Sequence, residues 1–295
     1  MSSGLFTIVV PAHNEEAVIE RSLRTLCNQV TTCVLDIMVV CNGCSDRTAD
    51  IVRSHAAADP RIRLVEIAQG SKPAAIRAAF AAVSASAAFV AVVDADVVLS
   101  ADAIEGLATA LEGPLPLIAA PQIDVDLTGC SRVVRRYYAV WLSQPYITAG
   151  VIGAGVFAVN SAGLERITAL PDTMADDTWA RAQFARAERV TSAGTFTVFP
   201  PRTLRPHVRR RARIVIGTRQ VAAMRKASGR WPDPHPTPTT TDAIPKSRIA
   251  RATRADQLTY WALQKSADLL ATWRIMRGRT GWVTDVTSRV SEPTS

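Results

Sequence analysis

Four aspartates in two close pairs are the residues of this chain best suited to chemistry. Asp94 and Asp96 stand one residue apart at the end of an apolar run, Phe-Val-Ala-Val-Val-Asp-Ala-Asp. Two carboxylates that close repel each other when both are buried and unpaired. A divalent cation removes the conflict, and hard cations such as Mg2+ or Mn2+ take oxygen ligands. The competing reading is a turn whose aspartates cap a helix beginning near Asp102. Asp176 and Asp177 form the second pair at a helix opening, where acids also serve as ordinary caps because the macrodipole favours negative charge. Ten basic residues and no acid lie between Arg202 and Arg230. A block of this kind binds phosphates or an anionic surface, or forms a solvated helix face. Within it Arg210 and Arg213 are three apart, on one helix face.

These residues need a frame. Residues 5–10 are apolar and are stopped by Pro11, as a buried strand should be. A helix to about residue 28 follows. Residues 36–40 read as a second strand, and 41–46 as a turn in which Ser45 or Asp46 caps the next helix, to about 57. Residues 61–67 alternate like a third strand, and Gly70-Ser71-Lys72 precedes an Ala-rich helix to about 85. The run into Asp94 is then the fourth strand. Strand and helix alternating four times predict a parallel sheet covered by helices, with ligands at the C-terminal ends of the strands.

The pattern continues with a helix over 102–111, a strand within 114–123, and a helix over 130–146 that gathers Tyr137, Tyr138, Trp141 and Tyr146. Clustered aromatics form core or an acceptor wall. Gly150, Gly153 and Gly155 mark a place of close backbone approach. Short helices over 160–170 and 174–188, a strand over 195–199 and a basic helix over 208–230 complete a first unit, 1–230. Four prolines in 231–238 open a semi-extended linker, 231–250. A tail, 251–295, carries a helix over 255–277. There Leu258, Trp261, Ala262, Leu269, Trp273 and Met276 share one face, interrupted by Lys265. That face is expected to dock on the main unit. Contact with a membrane surface and pairing with a second subunit are the other readings.

The 295 residues, 48 % hydrophobic and 20 % charged, have an ordinary globular composition. No apolar stretch is long enough to span a membrane, and the N-terminus lacks a signal-peptide pattern, so a cytoplasmic protein is expected. Five cysteines without a regular framework fit a reducing compartment. The spacing Cys41-Asn42-Gly43-Cys44 lacks the second pair of a zinc site and the setting of a redox site. A net charge of +8 allows nucleic acid, but the basic block has no interleaved aromatics for base stacking, so none is expected. The Gly-x-Gly-x-x-Gly of a nicotinamide enzyme and the phosphate-binding P-loop are both missing.

In this order the motifs resemble those of the family 2 glycosyltransferases, inverting enzymes with a GT-A fold. The likeness covers roughly residues 5–215. Pro11-Ala12-His13-Asn14-Glu15 resembles the opening strand and turn, and Cys41-Asn42-Gly43-Cys44-Ser45-Asp46 the second-strand turn that touches the nucleotide. Lys72 fits a Gly-Lys-like element, and Asp94-Ala95-Asp96 resembles the metal-binding Asp-x-Asp. Asp176-Asp177 stands where relatives have Glu-Asp, whose second acid is the catalytic base.

The resemblance implies an α/β fold of GT-A type, a mostly parallel central sheet flanked by helices, with a C-terminal helical appendage. It implies metal-dependent transfer of a sugar from a nucleotide-diphosphate sugar to an acceptor hydroxyl. Asp177 would be the base and Asp176 its neighbour. Asp96, Asp94 and His207 would hold Mg2+ or Mn2+. Pro11, Ala12, Asn14, Glu15, Asn42, Lys72, Asp94, Arg210 and Arg213 would hold the donor. One departure is the Cys41-Asn42 turn, where relatives carry Asp-Asp. An amide offers a nucleobase a different donor and acceptor pattern. The alternatives are a nucleotidyltransferase acting on sugar phosphates and a non-catalytic homologue that binds a nucleotide or lipid.

Overall fold

The computed structural model describes residues 4–144, 147, 153–229 and 252–278. The linker expected over 231–250 lies outside them, and so do Tyr146 and Gly150. Eight strands form one mixed sheet in the order β3-β2-β1-β4-β7-β6-β8-β5. The first four, β1 (Leu5–Ala12), β2 (Val34–Asn42), β3 (Ile62–Ile67) and β4 (Ala87–Val93), run parallel. Helices α1 (Ile19–Cys27), α2 (Thr48–Ala58) and α3 (Lys72–Ala82) join them.

The apolar runs follow from burial on both faces. Along β1, Phe6, Ile8 and Val10 pack with Ile19 and Leu23 of α1, while Val9 points the other way, into a cluster with Ala75, Ile76 and Ala79 of α3. Alternate residues of a strand face opposite sides, so both sets must be apolar when helices cover both. Ser71 caps α3 by accepting the Ala74 N–H at 3.3 Å, and Pro73 follows in the first turn, where its missing donor costs nothing.

The second half departs from the simple alternation. β7 (Val156–Asn160) is antiparallel to β4, and β6 (Ile118–Val125) lies between β7 and β8 (Arg189–Val198). The two-residue β5 (Val98–Leu99) adds to β8 at the edge. Asp94 and Asp96 follow directly on the end of β4 at Val93, where the sequence placed them. Helices α4 (Ala103–Ala110), α5 (Arg132–Trp141), α6 (Ser161–Ile167) and α7 (Asp176–Ala182) flank this half.

A long basic helix, α8 (Leu204–Ser228), and the last described helix, α9 (Arg254–Met276), pack together and against α5. Tyr260 of α9 stacks on Tyr137 at 5.0 Å, and Ala271 meets Ala212 and Ile216 of α8. The clustered aromatics are thus core: Tyr137, Tyr138 and Trp141 are buried. The docking face of α9 differs from the expected one. Tyr260, Leu263, Ala267 and Ala271 are buried, whereas Leu258, Trp261, Leu269, Trp273 and Met276 are exposed. Small alanines let α9 approach α8 closely, and the bulkier apolar stripe is turned outward. No helix among the described residues is long and apolar enough to cross a membrane.

Candidate active site

The C-terminal ends of β1, β2 and β4 carry the candidate residues. Beyond Ala12, Asn14 takes a left-handed φ of 55°, which turns its side chain so that Oδ1 accepts the Ser45 N–H at 2.8 Å. The Glu15 N–H donates to Thr48 Oγ1 at 2.7 Å, and the Glu16 N–H donates to Asp46 at 3.1 Å. The first turn and the second-strand turn are thereby fixed side by side. Asp46, not Ser45, serves the start of α2, accepting the Thr48 N–H at 3.0 Å.

Asn42 is buried, and its amide nitrogen donates to the Ala12 carbonyl at 2.8 Å and the Val40 carbonyl at 3.4 Å. An aspartate in its place could not donate to those carbonyls. The amide nitrogen is committed to the backbone, so this side chain does not offer its N–H groups to a nucleobase. Gly43, at φ 58°, lets the turn press against residue 70: a Cβ there would sit 2.8 Å from the Gly70 nitrogen. The five cysteines are free thiols.

Lys72 is the hub. Its Nζ lies 2.6 Å from Asp94 Oδ1 and 2.9 Å from Asp176 Oδ2. One ammonium therefore joins the end of β4 to the start of α7. Burial disfavours the charged form of Lys72, but the carboxylates of Asp176, Asp94 and Asp177 outweigh it and hold its pKa above the ordinary value. Burial pushes Asp94 up, Lys72 opposes, and Asp176 and Asp96 add to the rise. Asp176 is likewise raised by burial, against the pull of Lys72.

Asp177 is held differently from its neighbour. Its Oδ2 accepts the Ala154 N–H at 2.8 Å, and its Oδ1 accepts the Thr178 N–H at 2.6 Å. Gly153 lies over it at φ 109°, and a Cβ there would come within 2.9 Å of Asp177 Oδ2. This is the close approach expected of the glycine-rich stretch. The Gly155 carbonyl accepts the Asp94 N–H at 2.8 Å, so the same loop braces both acid pairs. Asp176 is buried and Asp177 is partly exposed.

Helix α8 brings in the arginines. Burial and the neighbouring Arg210 lower the pKa of Arg213, while Asp94, Asp96 and Asp176 counteract them. Arg213 thus faces the acid cluster, with Arg210 beside it. Gly217 makes this docking possible: a Cβ there would lie 2.8 Å from that of Ala175. Gln220 adds a bond by accepting the Met174 N–H at 3.2 Å. A glycine inside a long helix costs about 1 kcal/mol relative to alanine, which was the available sign that this position is packed closely.

His207 is not brought to Asp94 and Asp96. Its ring is buried, 4.5 Å from Tyr137 and 5.6 Å from Tyr138 between centroids. No group of three or more His, Cys, Asp or Glu side chains among the described residues is arranged to hold a metal ion. Two carboxylates nevertheless suit Mg2+ or Mn2+, which keep water and substrate phosphates as their other ligands. Asp96 has no hydrogen-bond or ion-pair partner among the described residues, and Asp94 keeps 32 % of its side chain exposed. Asp94, Asp96, Asp176 and Asp177 also outnumber Lys72, Arg210 and Arg213, leaving charge for a cation to offset. A cavity of about 490 Å³ bordered by Phe89, Leu111 and Asn160 lies at the opposite end of β4, away from these acids.

The sequence pattern of glycosyl transferase family 2 matches residues 7–156, which include most of β1, all of β2 to β6, and Lys72, Asp94 and Asp96. The chain belongs to that family. The match ends before Asp176 and Asp177. Validoxylamine A glucosyltransferase from Streptomyces hygroscopicus subsp. limoneus is 31 % identical over 116 residues, 38 % of this chain and 25 % of that protein. Its counterpart from subsp. jinggangensis is 31 % identical over the same length, 26 % of that protein. The matched stretch thus spans about a quarter of the curated relatives. A mannosyltransferase from Pyrobaculum calidifontis, solved in complex with GDP-Man and Mn2+, shares the fold with a TM-score of 0.61. It is 20 % identical, and the alignment covers 93 % of this chain and 76 % of that one. In this family 2 domain Asp94 and Asp96 follow the C-terminal end of β4, and Asp176 and Asp177 open α7.

Proposed function

We propose that this chain transfers a sugar from a nucleotide-diphosphate sugar to an acceptor hydroxyl, with inversion at the anomeric carbon. The observation that carries the reading is the double ion pair of Lys72 with Asp94 and Asp176. It joins the acid pair at the end of β4 to the one that opens α7, so a donor and an acceptor would meet across one lysine.

In this reading Asp177 takes the proton as the acceptor O–H bond breaks. The acceptor oxygen forms a bond to the anomeric carbon while the bond from that carbon to the β-phosphate oxygen breaks. The electron pair leaves with the nucleoside diphosphate. Attack from the face opposite the leaving group inverts the centre. Asp177 suits the role of base because it is partly exposed and held in place by the Ala154 and Thr178 N–H groups. Asp176, buried against Lys72, positions the ammonium instead. Arg213 and Arg210 attract the diphosphate, and the turns at 11–15 and 42–46 lie where the nucleoside would rest. Asp94 and Asp96 would hold Mg2+ or Mn2+, which when bound offsets charge on the diphosphate. The mannosyltransferase of the same fold, solved with GDP-Man and Mn2+, supports this donor class and metal.

Thermal unfolding of the full chain with a panel of nucleoside diphosphates, in Mn2+ and in EDTA, tests the reading. Stabilisation by one or more diphosphates in Mn2+, lost in EDTA and in Asp96→Ala, is the expected result. Equal stabilisation in EDTA by both proteins would remove the metal. No stabilisation by any diphosphate would remove the donor.

A further inference from the structure

Helix α9 docks with one face, and its opposite face meets no other element among the described residues. At 3.6 residues per turn, Tyr260, Leu263, Ala267 and Ala271 form the docked side. Across the helix lie Leu258, Trp261, Leu269 and Met276, between 63 and 74 % exposed, with Trp273 at one margin. Arg254 and Lys265 are exposed on this same side. Of the two acids of the helix, Asp256 is turned away and Asp268 stands at the edge of the stripe beside Trp261. Asp256 closes the capping box with Thr253, and Asp268 points to Arg219 of α8 at 3.7 Å. The centre of the outward stripe is therefore apolar, with Arg254 and Lys265 as its charges.

We propose that this face of α9 rests on a lipid bilayer surface carrying anionic headgroups. A stripe of large apolar side chains exposed along a helix is an interaction surface, and its chemistry selects the partner. Tryptophans belong at the boundary between headgroups and acyl chains, where an apolar ring with one polar edge is best accommodated. Trp261 and Trp273 lie in successive parts of the stripe, and the Arg277 guanidinium covers the Trp273 ring at 4.7 Å. An amphipathic helix with cations among such residues lies in the plane of the interface and is drawn to anionic lipid. A second copy of the chain is the poorer partner. Two such stripes face to face would set Arg254 and Lys265 against like charges, with Asp268 at the edge already paired to Arg219, whereas anionic headgroups supply negative charge directly.

Flotation of the full chain with vesicles tests the proposal. The probes are vesicles of phosphatidylcholine alone and of phosphatidylcholine mixed with phosphatidylglycerol. The wild-type protein floats with the mixed vesicles, and binding weakens as salt is raised. In the double variant Trp261→Glu/Leu269→Glu the bound fraction falls roughly tenfold or more. Both side chains are exposed, so the unfolding midpoint is expected to stay unchanged. Lys265→Glu provides a milder second variant, with a smaller loss. Absence of wild-type binding to the mixed vesicles overturns the proposal, as does equal binding by both variants. A wild-type dimer in sedimentation that the double variant breaks, with no vesicle binding, assigns the face to a second copy and overturns it as well.

Discussion

Lys72 Nζ lies 2.9 Å from Asp176 Oδ2, and the two side chains keep only 14 % and 6 % of their surface exposed. Buried ions of this kind are tolerated because they neutralise each other. Removing one partner leaves an uncompensated charge at a cost of about 3–5 kcal/mol. Lys72→Met should therefore destabilise the protein by about that amount in urea unfolding at pH 8. The deficit should shrink as pH falls, because protonation of Asp94 and Asp176 relieves their repulsion. A deficit that is small, or independent of pH, would show that the ammonium is not what holds the acids together.

Gly153 tests how Asp177 is placed. Alanine at φ 109° strains the backbone by roughly 1–3 kcal/mol and drives a methyl towards the carboxylate. Gly113 has a similar φ of 116° with nothing within 4 Å, so Gly113→Ala carries the strain without the contact. Both variants should lower the unfolding midpoint, but only Gly153→Ala should also reduce turnover. Equal turnover in the two would mean that the loop does not position Asp177.

His207 gives a pH signature. Burial, with Arg211 and Arg210 nearby, lowers its pKa to about 3 from an ordinary 6.5. Below pH 6.5 the unfolded chain binds a proton that the folded chain refuses until about pH 3. Stability from this residue is complete above pH 6.5 and is lost as pH falls toward 3, at up to roughly 1.4 kcal/mol per pH unit. His207→Phe keeps an aromatic ring against Tyr137 and removes the titration. Between pH 6.5 and 4.5 its midpoint should therefore fall less steeply than that of the wild type. Parallel slopes would place the proton elsewhere.

The first half of the fold could be read from the sequence because it is buried on both faces. Strands β1, β2 and β4 are runs of Val, Ile and Phe ended by polar turns, and the parallel order followed from their alternation with helices. β7 was hidden by the glycines that precede it, and the full length of β8 by its Arg, Thr, Ser and Gly. The outward face of α9 could not be foreseen from spacing. Helical periodicity finds an apolar stripe but cannot tell which neighbour is small enough to pack, and here Ala267 and Ala271 were. The candidate acids and Lys72 were visible as motifs, but the link between them was not. A lysine and an aspartate from opposite halves of the chain meet only after the sheet has formed. Asn42 was visible as a departure, yet the nearer of the two carbonyls that occupy its amide, that of Ala12, belongs to the neighbouring strand.

The central claim is that Asp177 acts as the base towards the acceptor hydroxyl while other residues hold the donor. The measurement that tests it is nucleoside-diphosphate release from a nucleotide sugar that the wild type turns over, set beside nucleoside-diphosphate affinity, in Asp177→Asn. The variant keeps the shape of the side chain and removes the base. Release should fall by roughly two to four orders of magnitude while affinity stays within a factor of about three. Unchanged release would contradict the account, and so would a matching loss of affinity.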